Sequence, residues 1–200
     1  MIAEALRGCD PRDPRAALAA ISHLAYLRGL VHATAGNASL RVDGGFLCTP
    51  SGSCLGDVSP QALVSLDGAW AAAAGQGVAT SEWRMHAAVF ERVAAANAVL
   101  HTHSHAATLF AMRQSDVPMI TPEARHHLGT VPCLPAEPPG SEELAAAVRA
   151  AMDEGARAVL LGRHGCVAWG ADPREAFFRA ELLEATARLA WDLREAGAQW

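Results

Sequence analysis

The sequence predicts a single α/β domain, residues 1–200, whose sheet is mixed or antiparallel. Three observations predict it. Helical and strand periodicities alternate along the 200 residues without a repeat or a low-complexity linker. Turn chemistry at Asp43-Gly44, and the short run Cys166–Trp169 after the strand Ala158–Leu161, fold strands back on their neighbours instead of feeding βαβ crossovers. No G-x-G-x-x-G follows a strand, so a dinucleotide-binding unit is unsupported. A chain of this length buries a core without help from disulfides.

The elements follow in order. Asp13 caps and Pro14 opens a first helix, with Leu18, Ile21, Leu24 and Ala25 on its apolar face and Gly29 ending it. After the polar loop 34–39 comes a hairpin, Leu40–Val42 and Phe46–Cys48. Residues 49–53 are loop by composition, and Leu63–Leu66 is a strand closed by Asp67-Gly68. A second helix is capped by Thr80-Ser81, carries Glu82 in its first turn and runs to Asn97. Ala98–His103 reads as a strand and His105–Arg113 as a helix. Val117–Ile120 and Val131–Leu134 read as strands around a loop. Ser141 caps a helix through Met152. The long last helix opens at Asp172-Pro173 and reaches Ala196, stopped by Gly197.

Composition removes several functions. The formal net charge is −5, and all sixteen cations are arginine. Without any lysine there is no Schiff-base nucleophile and no Walker-type phosphate lysine. An acidic chain without a basic stripe does not neutralise a nucleic-acid backbone. No apolar run approaches the ~18 residues of a membrane span. The first fifteen residues carry acids and prolines where a signal peptide would be apolar, so a cytoplasmic protein is expected. Five scattered cysteines (Cys9, Cys48, Cys54, Cys133, Cys166) without a C-x-x-C pair read as reduced thiols.

Histidine is the unusual residue type: nine are present, three of them as H-x-H-x-H. On a strand, His101 and His103 share a face and can grip one divalent cation. His164, at a turn where Gly165 permits close backbone approach, is the best third ligand. Three neutral imidazoles leave coordination positions open, the pattern of a catalytic zinc site. Glu82 would be a fourth ligand, a general base, or each in turn. The plainer reading makes Glu82 a helix N-terminal acid favoured by the dipole. It leaves His105, His126 and His127 solvated or supporting, and His23 and His86 structural. Neutral donors stand nearby in sequence: Thr34, Gly36 and Asn37, then Ser51 and Gly52, then Thr80 and Ser81. Backbone N–H groups at glycine turns and at a helix start make an anion pocket without a cation.

Five segments together resemble the class II aldolase/adducin family. They are Thr34-Ala35-Gly36-Asn37-Ala38-Ser39, Thr49-Pro50-Ser51-Gly52, the run Ser81-Glu82-Trp83-Arg84-Met85-His86, His101-Thr102-His103-Ser104, and Arg163-His164-Gly165. Their order and spacing agree from about Leu18 to Arg194. The resemblance implies a three-layer α/β/α fold with a central, largely antiparallel mixed sheet, and a homotetramer with active sites between subunits. It implies Zn2+, or another divalent metal such as Co2+ or Mn2+, on His101, His103 and His164. Glu82 becomes the acid/base near the metal, and the three donor segments become a phosphate pocket. The implied activity is a metal-dependent carbon–carbon lyase of carbohydrate metabolism, acting on a short phosphorylated ketose through a metal-stabilised enediolate.

Two branches of the family compete. The stretch from Ser81 to His86 looks like fuculose-phosphate aldolases, whose neighbouring subunit lends a tyrosine as proton donor. Here Pro122 holds the expected place, the one tyrosine, Tyr26, lies on the first helix, and the sequence ends at Trp200, before the extension that helps cover those sites. Ser53-Cys54-Leu55-Gly56, Thr121-Pro122 and Leu128-Gly129-Thr130-Val131-Pro132 resemble 3-oxo-tetronate 4-phosphate decarboxylases, although Ser81 stands where that branch has a lysine before the glutamate. Epimerase or dehydratase chemistry, and a non-catalytic adducin-like interaction module, are the further alternatives. Retention of all three histidines and Glu82 argues against the last.

Overall fold

The computed structural model describes residues 12–152 and 156–197; Cys9 and the residues before Arg12 lie outside that range. Helix α1 (Pro14–Leu27) starts where its capping chemistry dictates, with the Asp13 carboxylate accepting from the Ala16 N–H at 3.0 Å. Gly29, at φ +69°, takes the left-handed turn that ends it. Strands β1 (Asn37–Val42) and β2 (Gly45–Cys48) form the expected hairpin, with β1 starting three residues earlier than predicted and β2 one residue earlier, at the turn. Strand β3 (Val64–Asp67) pairs with β2. Then follow α2 (Trp83–Arg92), β4 (Ala98–Thr102), α3 (His105–Met112), α4 (Pro122–Leu128), β5 (Cys133–Leu134), α5 (Glu142–Met152), β6 (Ala158–Leu161), β7 (Gly165–Gly170) and α6 (Pro173–Glu195). Asp172 caps α6 by accepting from the Glu175 N–H at 2.8 Å.

The seven strands lie in the order β3-β2-β1-β4-β7-β6-β5, antiparallel at every pairing except β5 with β6. Strand alternation divides the core in two. Ala38, Leu40, Ala98, Leu100, Leu160 and Ala168 face the layer of α1, α3, α4 and α6. Val64, Val99, Val159, Leu161, Val167 and Trp169 face the layer of α2 and α5. This is the expected three-layer α/β/α architecture. Among the described residues no helix is long and apolar enough to cross a membrane, and Cys48, Cys54, Cys133 and Cys166 are free thiols.

Four expectations are corrected. Helix α2 stops at Arg92, not Asn97, because the sheet claims Asn97: its N–H donates to the Gly170 carbonyl at 2.8 Å and its carbonyl accepts from Arg41 at 2.7 Å. Tertiary pairing overrides the helix propensity of the alanines before it. Residues 117–120 form no strand, since Pro118 has no N–H for a ladder and its carbonyl accepts locally from Ile120 at 2.9 Å. The strand expected over Val131–Leu134 shrinks to Cys133–Leu134. The loop between these two segments contains α4, capped by the Thr121 hydroxyl accepting from Ala124 at 3.1 Å and opened by Pro122.

Candidate functional site

Strand β4 carries the centre of the site. It is buried along its whole length, and Asn37 of β1 pairs with His101 while Cys166 of β7 pairs with Thr102. His101 is wholly buried, and its Nδ1 donates to the Cys166 carbonyl oxygen at 3.0 Å. That bond fixes the tautomer, so the Nε2 lone pair points away from the backbone. The strand ends at Thr102, one residue short of the expected His103. The His103 N–H is held instead by the Leu30 carbonyl at 3.1 Å. The His103 Nε2 lies 2.8 Å from the His101 Nε2. His164 enters from the β6–β7 turn, its ring centroid 4.8 Å from that of His101 and 4.9 Å from that of His103. Gly165 allows this approach: a Cβ there would stand 2.5 Å from the Thr102 carbonyl oxygen and 3.2 Å from both imidazoles.

Glu82 completes the cluster. It occupies the cap position before α2 rather than its first turn, and its side chain caps nothing. Instead Oε2 lies 3.2 Å from the His101 Nε2 and Oε1 lies 3.5 Å from the His164 Nε2. Thr80 and Ser81 do not cap the helix either; the Thr80 hydroxyl accepts from the Glu82 N–H at 3.3 Å and so orients that residue. Burial alone would push the Glu82 carboxyl up, but the neighbouring His101 and His164 and the Asn37 amide outweigh it and hold the carboxyl well below the usual range. Burial, with the neighbouring His101, pushes the His103 imidazole down to about 3 and lowers His164. An ionised carboxylate therefore faces this imidazole cluster near neutral pH, with His103 and His164 neutral.

The donor set fits a divalent cation. The ligand atoms of His101, His103 and His164 all lie within 4.8 Å of one another. Two imidazole nitrogens face each other at hydrogen-bonding distance. The buried Oε1 of Glu82 has no hydrogen-bond partner, as a polar atom poised for a ligand does. Neutral imidazole nitrogens suit zinc and its neighbours in the series.

The three donor segments converge on the same end of the sheet. Gly36, at φ +82°, lies so close to β4 that a Cβ would meet the His101 carbonyl oxygen at 2.8 Å. A bridge between Pro50 and Ala79 lays the Ser51-Gly52 turn beside Thr80-Ser81, with the Ser51 N–H on the Val78 carbonyl at 2.8 Å. Thr34, Ser51, Gly52 and Ser81 are exposed, whereas Thr80 and Asn37 are buried. Asn37 is engaged differently from the expectation: its Nδ2 donates to Glu82 Oε2 at 2.9 Å.

His86, expected to be structural, is buried against Asn37 and Ser39, whereas one residue near the site escaped the sequence reading. Glu184, on α6, accepts from the Ala106 and Ala107 N–H groups at 3.0 Å each and so caps α3 just beyond His103. Its sequence neighbours hold no sign of this partnership, which spans 78 residues. His105, His126 and His127 are exposed, in keeping with a solvated role.

Comparison with known proteins bears on this geometry. The family model of the class II aldolase and adducin N-terminal domain matches residues 16–191. The 3-oxo-tetronate 4-phosphate decarboxylase of Cupriavidus necator is 39% identical over 172 residues, 82% of this chain and 77% of that protein. The L-fuculose phosphate aldolase of Methanococcus maripaludis is 33% identical over 171 residues, 84% of this chain and 91% of that one. Among solved structures, YgbL from Klebsiella pneumoniae superposes with a TM-score of 0.84 at 32% identity, covering 91% of this chain and 90% of its own. The L-fuculose-1-phosphate aldolase from Thermus thermophilus superposes with a TM-score of 0.82 at 30% identity, covering 94% and 98%.

Proposed function

This chain belongs to the class II aldolase and adducin family, and from that premise we propose that it is a metal-dependent carbon–carbon lyase acting on a short phosphorylated ketose. The observation that carries the reading is the convergence of three imidazoles beside one carboxylate, Glu82, whose oxygens lie 3.2 Å from the His101 Nε2 and 3.5 Å from the His164 Nε2. His101, His103 and His164 would hold a divalent cation, which when bound would supply Lewis-acid polarisation of a substrate carbonyl. Glu82, held ionised beside that cluster, takes and returns the substrate proton as general base and acid. The exposed hydroxyls of Thr34, Ser51 and Ser81 and the turns at Gly36 and Gly52, with Thr80 behind them, receive an anionic group without a cation's help. The reading extends to zinc as the metal, a cytoplasmic homotetramer with sites between subunits, and one domain over residues 1–200.

A second reading, decarboxylation of a 3-oxo-tetronate 4-phosphate, has a specific observation in its favour: the relative bearing that name is 39% identical, against 33% for the aldolase. Both reactions break a carbon–carbon bond one carbon away from a carbonyl. Aldol cleavage also removes a hydroxyl proton, whereas decarboxylation removes none and needs only a proton returned to the carbon that lost CO2. Incubation with short ketose 1-phosphates and with 3-oxo-tetronate 4-phosphates separates them. Dihydroxyacetone phosphate from the first supports the aldolase, CO2 from the second supports the decarboxylase, and silence with both overturns the lyase reading.

A further inference from the structure

Behind Glu82 runs a buried polar chain that ends at Ser39. The His86 Nδ1 lies 2.6 Å from the Ser39 Oγ, and the His86 Nε2 lies 2.6 Å from the Asn37 Oδ1. His86 and Ser39 are wholly buried, and Asn37 is nearly so. Two periodicities bring these groups into line. Asn37 and Ser39 are two apart on β1 and share the face turned to α2, whereas Glu82 and His86 are four apart and share one side of α2's start. A two-residue strand step of about 6.8 Å nearly matches a four-residue helix step of about 6 Å. Asn37 therefore meets both Glu82 and His86, and Ser39 meets His86.

Hydrogen-bond chemistry sets the directions. An ionised carboxylate only accepts, so Asn37 turns its Nδ2 toward Glu82 and its Oδ1 toward His86. The Asn37 oxygen also only accepts, so His86 carries its proton on Nε2. In the neutral ring Nδ1 then accepts from the Ser39 hydroxyl. Burial, with His101 nearby, keeps that ring neutral by pushing its pKa down to about 3. The chain stops at Glu82 Oε2, and the other carboxylate oxygen, Oε1, has no hydrogen-bond partner.

We propose that His86 is a positioning residue: with Ser39 behind it, it locks the Asn37 amide in the orientation that anchors Glu82 Oε2, and thereby assigns Oε1 as the oxygen that takes and returns the substrate proton. A flipped amide would set an oxygen against the carboxylate and swing it off the cluster. The inference rests on Glu82 being the acid/base, but its first test does not depend on turnover.

Nitrogen-15 NMR of the histidine-labelled full chain reads the His86 tautomer directly. A proton on Nε2 and none on Nδ1 is expected; a proton on Nδ1 overturns the inference, because Asn37 would then have to present its amide to His86. Variants supply the second test. His86→Gln places an amide donor near the Nε2 position and should keep kcat within about 5-fold, the loss of one neutral hydrogen bond being worth about 1 kcal/mol. His86→Leu frees Asn37 and should lower kcat about 100-fold at unchanged KM and metal content, as misplacing a catalytic group by about 1 Å does. Equal kcat losses in both variants, or a loss confined to KM, overturn the inference. Should His86→Leu fail to fold, the tautomer measurement and His86→Gln still decide it. A wild-type protein with the Nε2 tautomer but inactive on both sugar-phosphate classes would leave the anchor standing and remove the lyase reading instead.

Discussion

The histidine end of the site and the donor loops beside it are built on opposite plans. His101, His103 and His164 hang from the ends of β4 and from the β6–β7 turn, with His101 wholly buried and its tautomer set by the Cys166 carbonyl. Ser51, Gly52, Thr34 and Ser81 sit on exposed loops. The first region is oriented before any ligand arrives; the second offers short side chains and amides to water until an anion replaces it. Pre-oriented groups govern the chemical step, and exposed neutral donors govern how tightly the substrate's far end is held. The two regions should therefore respond differently to mutation.

The largest effect is expected at the junction. Glu82→Gln keeps the shape and the contact distance but removes the base, so kcat should fall by about 100- to 10,000-fold with bound metal retained. Steady-state kinetics alongside elemental analysis checks this; loss of the metal together with activity would make Glu82 an obligatory ligand and blur the distinction between the regions. Ser51→Ala and Ser81→Ala should each raise KM about 3- to 10-fold at nearly constant kcat, the worth of one neutral hydrogen bond. A kcat loss as large as that of Glu82→Gln would erase the contrast.

The buried side of the contrast also predicts a pH dependence. His86 has a folded pKa of about 3 against an ordinary 6.5, so the unfolded chain binds more protons between those values. Its contribution to stability is then complete above about pH 6.5 and lost as pH falls toward 3, with a slope of about 1.4 kcal/mol per pH unit for one proton. Thermal unfolding from pH 7 to pH 5 should show a falling midpoint in the wild type and a shallower fall in His86→Gln. Equal slopes would show that His86 is charged or exposed. The smallest effect is expected from Glu184→Gln, which weakens the cap on α3 by about 1 kcal/mol and leaves bound metal unchanged.

How much of this was legible in the sequence follows the same contrast. Local chemistry wrote the element starts plainly: Asp13-Pro14, Ser141 and Asp172-Pro173 each cap a helix as read. The H-x-H spacing and the glycine after His164 announced the cluster for the same reason, because strand alternation and a missing Cβ are properties of adjacent residues. What the sequence hid depends on distant partners. Asn97 reads as helix but is drawn into the sheet by Gly170 and Arg41. Glu184 reads as an ordinary helical acid until α3 comes to lie over it. Asn37 reads as one more loop donor, yet the pairing of β1 with β4 turns it onto Glu82 and His86. The helix at Pro122–Leu128 was masked by a proline and a glycine that mark its two ends rather than a loop.

The central claim is that His101, His103 and His164 hold a divalent cation. It is tested most directly by elemental analysis of protein purified without chelators, alongside His103→Ala and Ser51→Ala. About one zinc, cobalt, manganese or iron ion per chain is predicted for the wild type and for Ser51→Ala, with His103→Ala falling to background while remaining folded. A wild-type protein that holds none of these metals in stoichiometric amount, or a His103→Ala protein that holds as much as the wild type, would contradict it.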